Sequence, residues 1–281
     1  MYLFSMNAEP ITLDHQQLLS QQIASLQLPF SEYSFANLFL FRHVHNYTVE
    51  ELGIRGKTYD GHRFVMPLFD LRKKTIVSLD DDEFFYPVLQ EWIPQLPQKG
   101  MEVSFREEDN DYLFKVATFQ HYPGRHLDGR RNLVHQFLDL YETSCSPIQP
   151  NQEQDLLSIL DYWNETVGKT IGLSDYKPCK EAITLLQRLS LFGSIVYCDK
   201  KPSGFIIGEL LNKKTCIVHF AKANIEYKGI YQYLYQAFAQ QLDTTVEWMN
   251  LEQDLGDEGL KRSKSAYYPS LLLKKMRVRW V

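Results

Sequence analysis

Thr215-Cys-Ile-Val-His-Phe-Ala-Lys-Ala-Asn-Ile-Glu-Tyr-Lys-Gly229-Ile-Tyr-Gln-Tyr-Leu-Tyr-Gln-Ala-Phe238 changes its period in the middle. Residues 215–222 form a β-branched and aromatic run of strand length. From Gly229 onward, Ile230, Tyr233, Leu234, Ala237 and Phe238 fall on one face of a helix. Working backward, residues 194–199 and 204–211 also read as strands. The turns 200–203 and 212–214 join the three into an antiparallel set. Two helices precede them. The first is capped by Asn151 and places Leu156, Ile159, Leu160 and Trp163 on one face; the second spans 180–192 and is closed by Gly193. Working forward, residues 245–251 read as a short strand, and a last strand over 271–279 is expected to complete one sheet for residues 151–281.

The N-terminal half shows the same mixture. Asp14 can cap a helix through Leu26 with Leu18, Leu19, Ile23 and Leu26 inside, and Ser34 a second one carrying Phe35, Leu38, Phe39 and Arg42. Strands are expected over 63–68 and 75–79. Pro87 suits the first turn of a helix through Ile93, and residues 101–107 and 111–118 suggest a hairpin around Asp109-Asn110. Ser146-Pro-Ile-Gln-Pro150 is the best linker, predicting domains of 1–146 and 147–281.

Composition narrows the class. The chain has 281 residues, 44% of them hydrophobic and 14% aromatic, too apolar for a disordered segment. No run approaches the roughly 20 apolar residues of a membrane span, and the first six residues lack the basic region of a signal peptide. A cytoplasmic location is expected. Cys145, Cys179, Cys198 and Cys216 lack the paired spacing of a zinc site and read as free thiols; no metal and no cofactor is called for. The net charge of −5 is uneven. Lys261, Arg262, Lys264, Lys274, Lys275, Arg277 and Arg279 follow Gly259 with no acid among them, which suggests either an anion-binding surface or a charged edge strand.

Two segments concentrate chemistry. In 121–137, Pro123, Gly124 and Gly129 give a loop that leads into a helix marked by Leu133, Phe137 and Leu140. Arg125, His126, Arg130, Arg131 and His135 gather near its start, where free N–H groups also favour anions. In 250–269, a strand end carrying Asn250, Glu252 and Asp254 turns at Gly256 and Gly259 into a short helix over 260–267. That helix bears Lys261 and Lys264, with Tyr267 and Tyr268 at its end before Pro269. The plain alternatives are a basic surface helix and a salt-bridged loop.

Two helices, three antiparallel strands and a strand–turn–helix opening at glycine resemble the GNAT acyltransferase fold. The pyrophosphate motif of that fold corresponds to Glu226-Tyr-Lys-Gly229-Ile-Tyr231, where an acid and a tyrosine replace the expected basic or amide and small residues. Acyl-coenzyme A is therefore expected to bind weakly. A wider resemblance rests on Tyr33-Ser-Phe-Ala-Asn37-Leu, Asp111-Tyr-Leu113, Gly129-Arg-Arg-Asn132, Lys222-Ala223, Gly229-Ile-Tyr-Gln232 and Asn250-x-Glu252-x-Asp254-Leu-Gly256-x-x-Gly259-Leu-x-x-x-Lys264-x-x-Tyr267-x-Pro269. These look like the phosphatidylglycerol lysyltransferase C-terminal domain family. The resemblance implies two tandem GNAT-like α/β domains, as in the Fem peptidoglycan transferases. It also implies transfer of an aminoacyl group from aminoacyl-tRNA to a lipid, peptide or other acceptor.

Such a transfer needs a base, charge stabilisation on the carbonyl oxygen and a proton for the leaving ribose. Glu252 or Asp254 suits the first role, Lys264 or N–H groups near Gly256 the second, and Tyr267 or Tyr268 the third. Arg125, Arg130, Arg131, Asn132, Gly229, Asn250 and Lys261 are the expected substrate-binding positions. A non-catalytic tRNA- or anion-binding protein on the same fold, or an acyl-coenzyme A-dependent N-acyltransferase, is the alternative.

Overall fold

The computed structural model describes residues 8–73, 79–166 and 175–281. The expectations for the first six residues and for a strand over 75–79 fall outside them, apart from Leu79, which is in no strand. In chain order the strands are β1 (Glu9–Pro10), β2 (Thr48–Glu50), β3 (Gly53–Lys57), β4 (Arg63–Pro67), β5 (Glu83–Leu89), β6 (Met101–Phe105), β7 (Asp111–Lys115), β8 (Thr143–Pro147), β9 (Phe192–Cys198), β10 (Lys201–Asn212), β11 (Thr215–Ala223), β12 (Trp248–Asn250), β13 (Leu271–Leu273) and β14 (Lys275–Trp280). The helices are α1 (Gln16–Leu26), α2 (Phe35–Leu40), α3 (Arg42–His45), α4 (Val116–His121), α5 (Asp128–Leu140), α6 (Glu153–Thr166), α7 (Tyr176–Thr184), α8 (Ile230–Gln241) and α9 (Glu258–Ser265). None is long and apolar enough to cross a membrane among the described residues.

The chain forms two compact units. The first comprises Met1–Tyr112, Gln253–Lys264 and Leu271–Val281, and the second Leu113–Glu252 and Ser265–Ser270. The boundary expected at 146/147 lies within the second unit, at the end of β8.

The first unit carries a sheet in the order β1-β2-β3-β4-β5-β14-β6, antiparallel except between β4 and β5. α2 starts as expected, because the Ser34 side chain accepts a hydrogen bond from Asn37 N–H. α1 is instead preceded by a short 3-10 turn whose start is capped by Thr12 and His15, and only its Leu19 and Ile23 are fully buried.

Three expectations are corrected in this unit. The helix expected from Pro87 is strand β5. Phe85, Tyr86 and Val88 are buried β-favouring residues, and Pro87 falls where the register with β14 shifts, so its missing N–H costs the ladder little. The expected hairpin does not form, because β6 pairs with β14 and the turn residues Glu107–Asp109 make a 3-10 helix. The strand expected over 271–279 is two strands, of which β14 belongs to this sheet and β13 does not.

Long-range charge accounts for these choices. Lys275 on β14 is fully buried, with Nζ 2.7 Å from Glu32 Oε1 and 2.6 Å from Asp111 Oδ1. Arg277 is held by Asp60 and Asp109 at 3.0 and 2.7 Å, and Arg279 by Glu102. The part of the basic C-terminal run on β14 is therefore neither an open anion surface nor an edge guard. Three of its seven charges pair acids within this unit, and removing one partner of a buried pair costs about 3–5 kcal/mol.

The second unit's own strands run in the order β8-β9-β10-β11-β12-β7. Neighbours are antiparallel except β11 and β12, which pair in parallel only from Thr215↔Trp248 to Ile217↔Asn250. Beyond Ile217, no strand among the described residues pairs with β11 on that side. α6 buries Leu156, Ile159, Leu160 and Trp163, the face read from the sequence. α8 starts at Gly229 and buries Ile230, Leu234, Ala237 and Phe238, with Tyr233 half-buried.

The helix expected over 180–192 ends at Thr184. Gly193 is a strand residue, where any side chain would run into the Ile206 carbonyl of β10. α5 buries Val134 and Phe137, while Leu140 at its end is 63% exposed.

Candidate active site

The centre of the second unit's sheet is irregular. Ile207 faces Phe220, but Gly208 faces Val218, so His219 is an extra residue on β11, a β-bulge. A bulge re-aims the side chain that it adds. Gly208 suits the opposing position, because a Cβ there would meet the Ile217 carbonyl.

The re-aimed ring lies between two acids. His219 Nε2 is 2.9 Å from Glu209 Oε1 on β10, and Nδ1 is 2.8 Å from Glu252 Oε1 just beyond β12. The ring is fully buried and both carboxylates are mostly so. Burial alone would lower the ring's pKa. The charge of Glu252 and hydrogen bonds to both acids outweigh it and hold the pKa at about 10. At neutral pH the group is an imidazolium donating through both nitrogens, which leaves no lone pair for a metal. Among the described residues no cluster of histidine, cysteine and acids is arranged to hold a metal ion.

Glu252 reaches this position through an unusual backbone. It sits at φ 57°, a left-handed conformation uncommon outside glycine, and its N–H donates to Asn250 Oδ1 at 2.7 Å. Asn250 is fully buried. Asn250 thus fixes the backbone of Glu252. The sequence offered only a weak pointer to His219 and Glu209: a lone histidine amid apolar strand residues reads as core.

A second buried charge was also missed. Lys222 on β11 donates to both oxygens of Asp175 at 2.7 and 2.9 Å, with Nζ 3.4 Å from the centre of the Trp163 ring.

The remaining expected residues of the second unit divide by what they touch. Tyr267 is buried among Phe119, Tyr122 and Tyr235, and its hydroxyl accepts from Gln232 Nε2 at 3.1 Å. Burial raises its pKa to about 12 against the Arg130 guanidinium 5.2 Å from its ring, so it remains a protonated phenol. Tyr268 is exposed and packs its ring edge-on against His126. Arg131 binds Asp128 and the carbonyls of Tyr122 and Gly124, pinning the loop to the start of α5. Arg125 and Asn132 are exposed on the same segment.

Gly229 is at φ 94°, and a Cβ there would meet the Leu133 carbonyl and Phe137. α5 therefore packs tightly against the residue that starts α8, leaving no room there for a side chain.

Asp254, Lys264 and Lys261 belong to the first unit. Asp254 is buried, accepting from Tyr112 OH at 2.6 Å and from Gly256 N–H at 2.9 Å. Lys264 donates to the Gln253 carbonyl at 2.5 Å and lies 5.8 Å from the Tyr112 ring centre. Asp254 and Lys264 thus meet around Tyr112 and fix the turn into α9. Lys261 is exposed on that helix.

The fold has known counterparts. A crystal structure of a conserved protein of unknown function from Bacteroides thetaiotaomicron VPI-5482 is similar over 99% of this chain and 100% of that one, at 22% identity and a TM-score of 0.82. The C-terminal domain of a putative lysylphosphatidylglycerol synthetase from Agrobacterium fabrum is similar over 95% and 92%, at 14% identity and a TM-score of 0.62. FemX is similar over 98% of each chain, at 8% identity and a TM-score of 0.60. The mixed α/β architecture with two sheets is thus the tandem GNAT-like fold. The family model described as "Phosphatidylglycerol lysyltransferase, C-terminal" matches residues 24–279, and the chain belongs to that family.

Proposed function

We propose that the chain is an aminoacyltransferase that moves an aminoacyl group from aminoacyl-tRNA to a hydroxyl or amine of a lipid, peptide or small-molecule acceptor. The observation that carries this reading is the Glu209–His219–Glu252 array, set on a bulge just past the last paired positions of β11 and β12. Glu252 takes the proton of the acceptor as its oxygen or nitrogen attacks the ester carbonyl carbon. The bond from that carbon to the ribose oxygen breaks, and the ribose oxygen takes up a proton, delivered through a neutral phenol such as Tyr267 or Tyr268. His219, protonated throughout, orients Glu252 and is not itself the base. Arg125 and Arg130 suit phosphates of the tRNA end, whereas Arg131 is committed to Asp128 and two carbonyls. Leu133 and Phe137 against Gly229 argue against an acyl-coenzyme A donor.

The test is incubation with a panel of charged tRNAs, following loss of the aminoacyl group. Glu252→Gln is expected to lower turnover about 100-fold or more while leaving tRNA binding intact. Charge reversal at Arg125 and Arg130 is expected to flatten the salt dependence of binding by about one to two units. Binding without turnover for every charged tRNA supports a non-catalytic tRNA-binding protein instead. Micromolar binding of acetyl-coenzyme A would contradict the choice of donor.

A further inference from the structure

We propose that the outer edge of β6 pairs with the same edge of a second copy of this chain, antiparallel, about a two-fold axis at Ser104. β6 ends the first unit's sheet, with β14 on one side and no strand on the other among the described residues. An open edge presents unpaired N–H and C=O groups, and proteins commonly blunt it with proline, charge or brevity. The opposite edge is guarded in that way: β1 has two residues, one of them Pro10. β6 has five, without proline or lysine, and it exposes Val103 and Phe105 by 38% and 45% on one face.

The sequence of this edge is complementary to itself. Residues 102–106 read Glu-Val-Ser-Phe-Arg. Arg106 continues the extended backbone at φ −126° and ψ 140°. Antiparallel pairing centred on Ser104 sets Glu102 opposite Arg106 and Val103 opposite Phe105, twice each, with Ser104 opposite itself. Shifting the centre to Phe105 would set Glu102 against Glu108. Shifting it to Val103 would set Glu102 against Ser104 and Arg106 against Gly100, losing both ion pairs. Within one copy Glu102 already meets Arg279, and Arg106 meets Asp60 and Glu108. The side chains of Glu102, Arg106 and Arg279 remain roughly half exposed, so a partner's charge can join these pairs without desolvating a buried ion.

Two measurements on the full chain test the proposal. With oxidised glutathione, Ser104→Cys is expected to form a disulfide-linked dimer at least about tenfold faster than Glu102→Cys, because only position 104 faces its own copy within disulfide reach. In sedimentation equilibrium the wild type is expected to dimerise with rising concentration. Glu102→Arg and Arg106→Glu are each expected to shift it to monomer, and the double variant to recover the dimer. A wild type monomeric at every concentration, equal cross-linking at the two positions, or a double variant no better than the singles would overturn the pairing.

Discussion

Replacing His219 by glutamine removes a buried cation and leaves Glu209 and Glu252 in place. The glutamine amide carries both of its N–H donors on one nitrogen, whereas the two acids face the two separate ring nitrogens, and it brings no charge. Removing one partner of a buried charged group costs about 3–5 kcal/mol. That is a large share of the ~5–15 kcal/mol that stabilises a typical domain.

The loss should depend on pH with a definite sign. The ring's pKa is raised from 6.5 to about 10 in the folded chain. The stabilisation is therefore complete below about pH 6.5 and is lost as pH rises through 10, by up to ~1.4 kcal/mol per pH unit. The wild type should weaken across this window, and His219→Gln should lack that slope. The gap between the two should then narrow from neutral pH toward pH 10. Urea unfolding, paired with amide hydrogen exchange of β10 and β11, reads the gap locally, which matters because two units need not unfold together. A gap below about 1 kcal/mol at pH 7, or one that stays constant to pH 10, would refute the charged array.

Two further outcomes are expected. Lys275→Met should destabilise the chain by about 3–5 kcal/mol at neutral pH, because Glu32 and Asp111 would share a buried site without their ammonium. The loss should shrink under acidic conditions where Glu32, its pKa already raised to about 7 by burial, takes up a proton; thermal melts at pH 5 and 8 compare the two. Gly229→Ala should cost about 1–3 kcal/mol, since it adds a methyl group at positive φ against the Leu133 carbonyl, and urea titration of the pure variant measures it.

Local pattern carried much of the second unit. The α6 stripe, the three-strand run and the glycine opening α8 all follow from short-range periodicity and turn residues. Pairing partners did not follow in the same way. β6 and β7 lie close in sequence and look like a hairpin, yet β6 finds its neighbour about 170 residues later, where the ladder runs from Met276↔Phe105 to Trp280↔Met101. Phe84–Val88 carry no period that separates a buried strand from a helix, and proline tipped the expectation the wrong way. In the site, Asn250 and Glu252 stood out because they share a strand end just before the turn at Gly256 and Gly259. His219 did not, since a one-residue offset between β10 and β11 gives it its role, and strand register is not written locally.

The placement of β14 bears on how the molecule is made. Residues 275–280 are made after every other strand of their sheet, yet they lie between β5 and β6 and bring the cation that Glu32 and Asp111 require. A ribosome releases the early strands long before that cation exists, so the first unit must wait with two acids uncompensated and β5 and β6 lacking the strand that joins them. The second unit's own run of strands from β8 to β12 is complete by residue 250, before that cation is made. The unit that contributes the earlier strands is thus completed after the other, and a chain broken off before residue 275 lacks both the strand and the charge that would let it close.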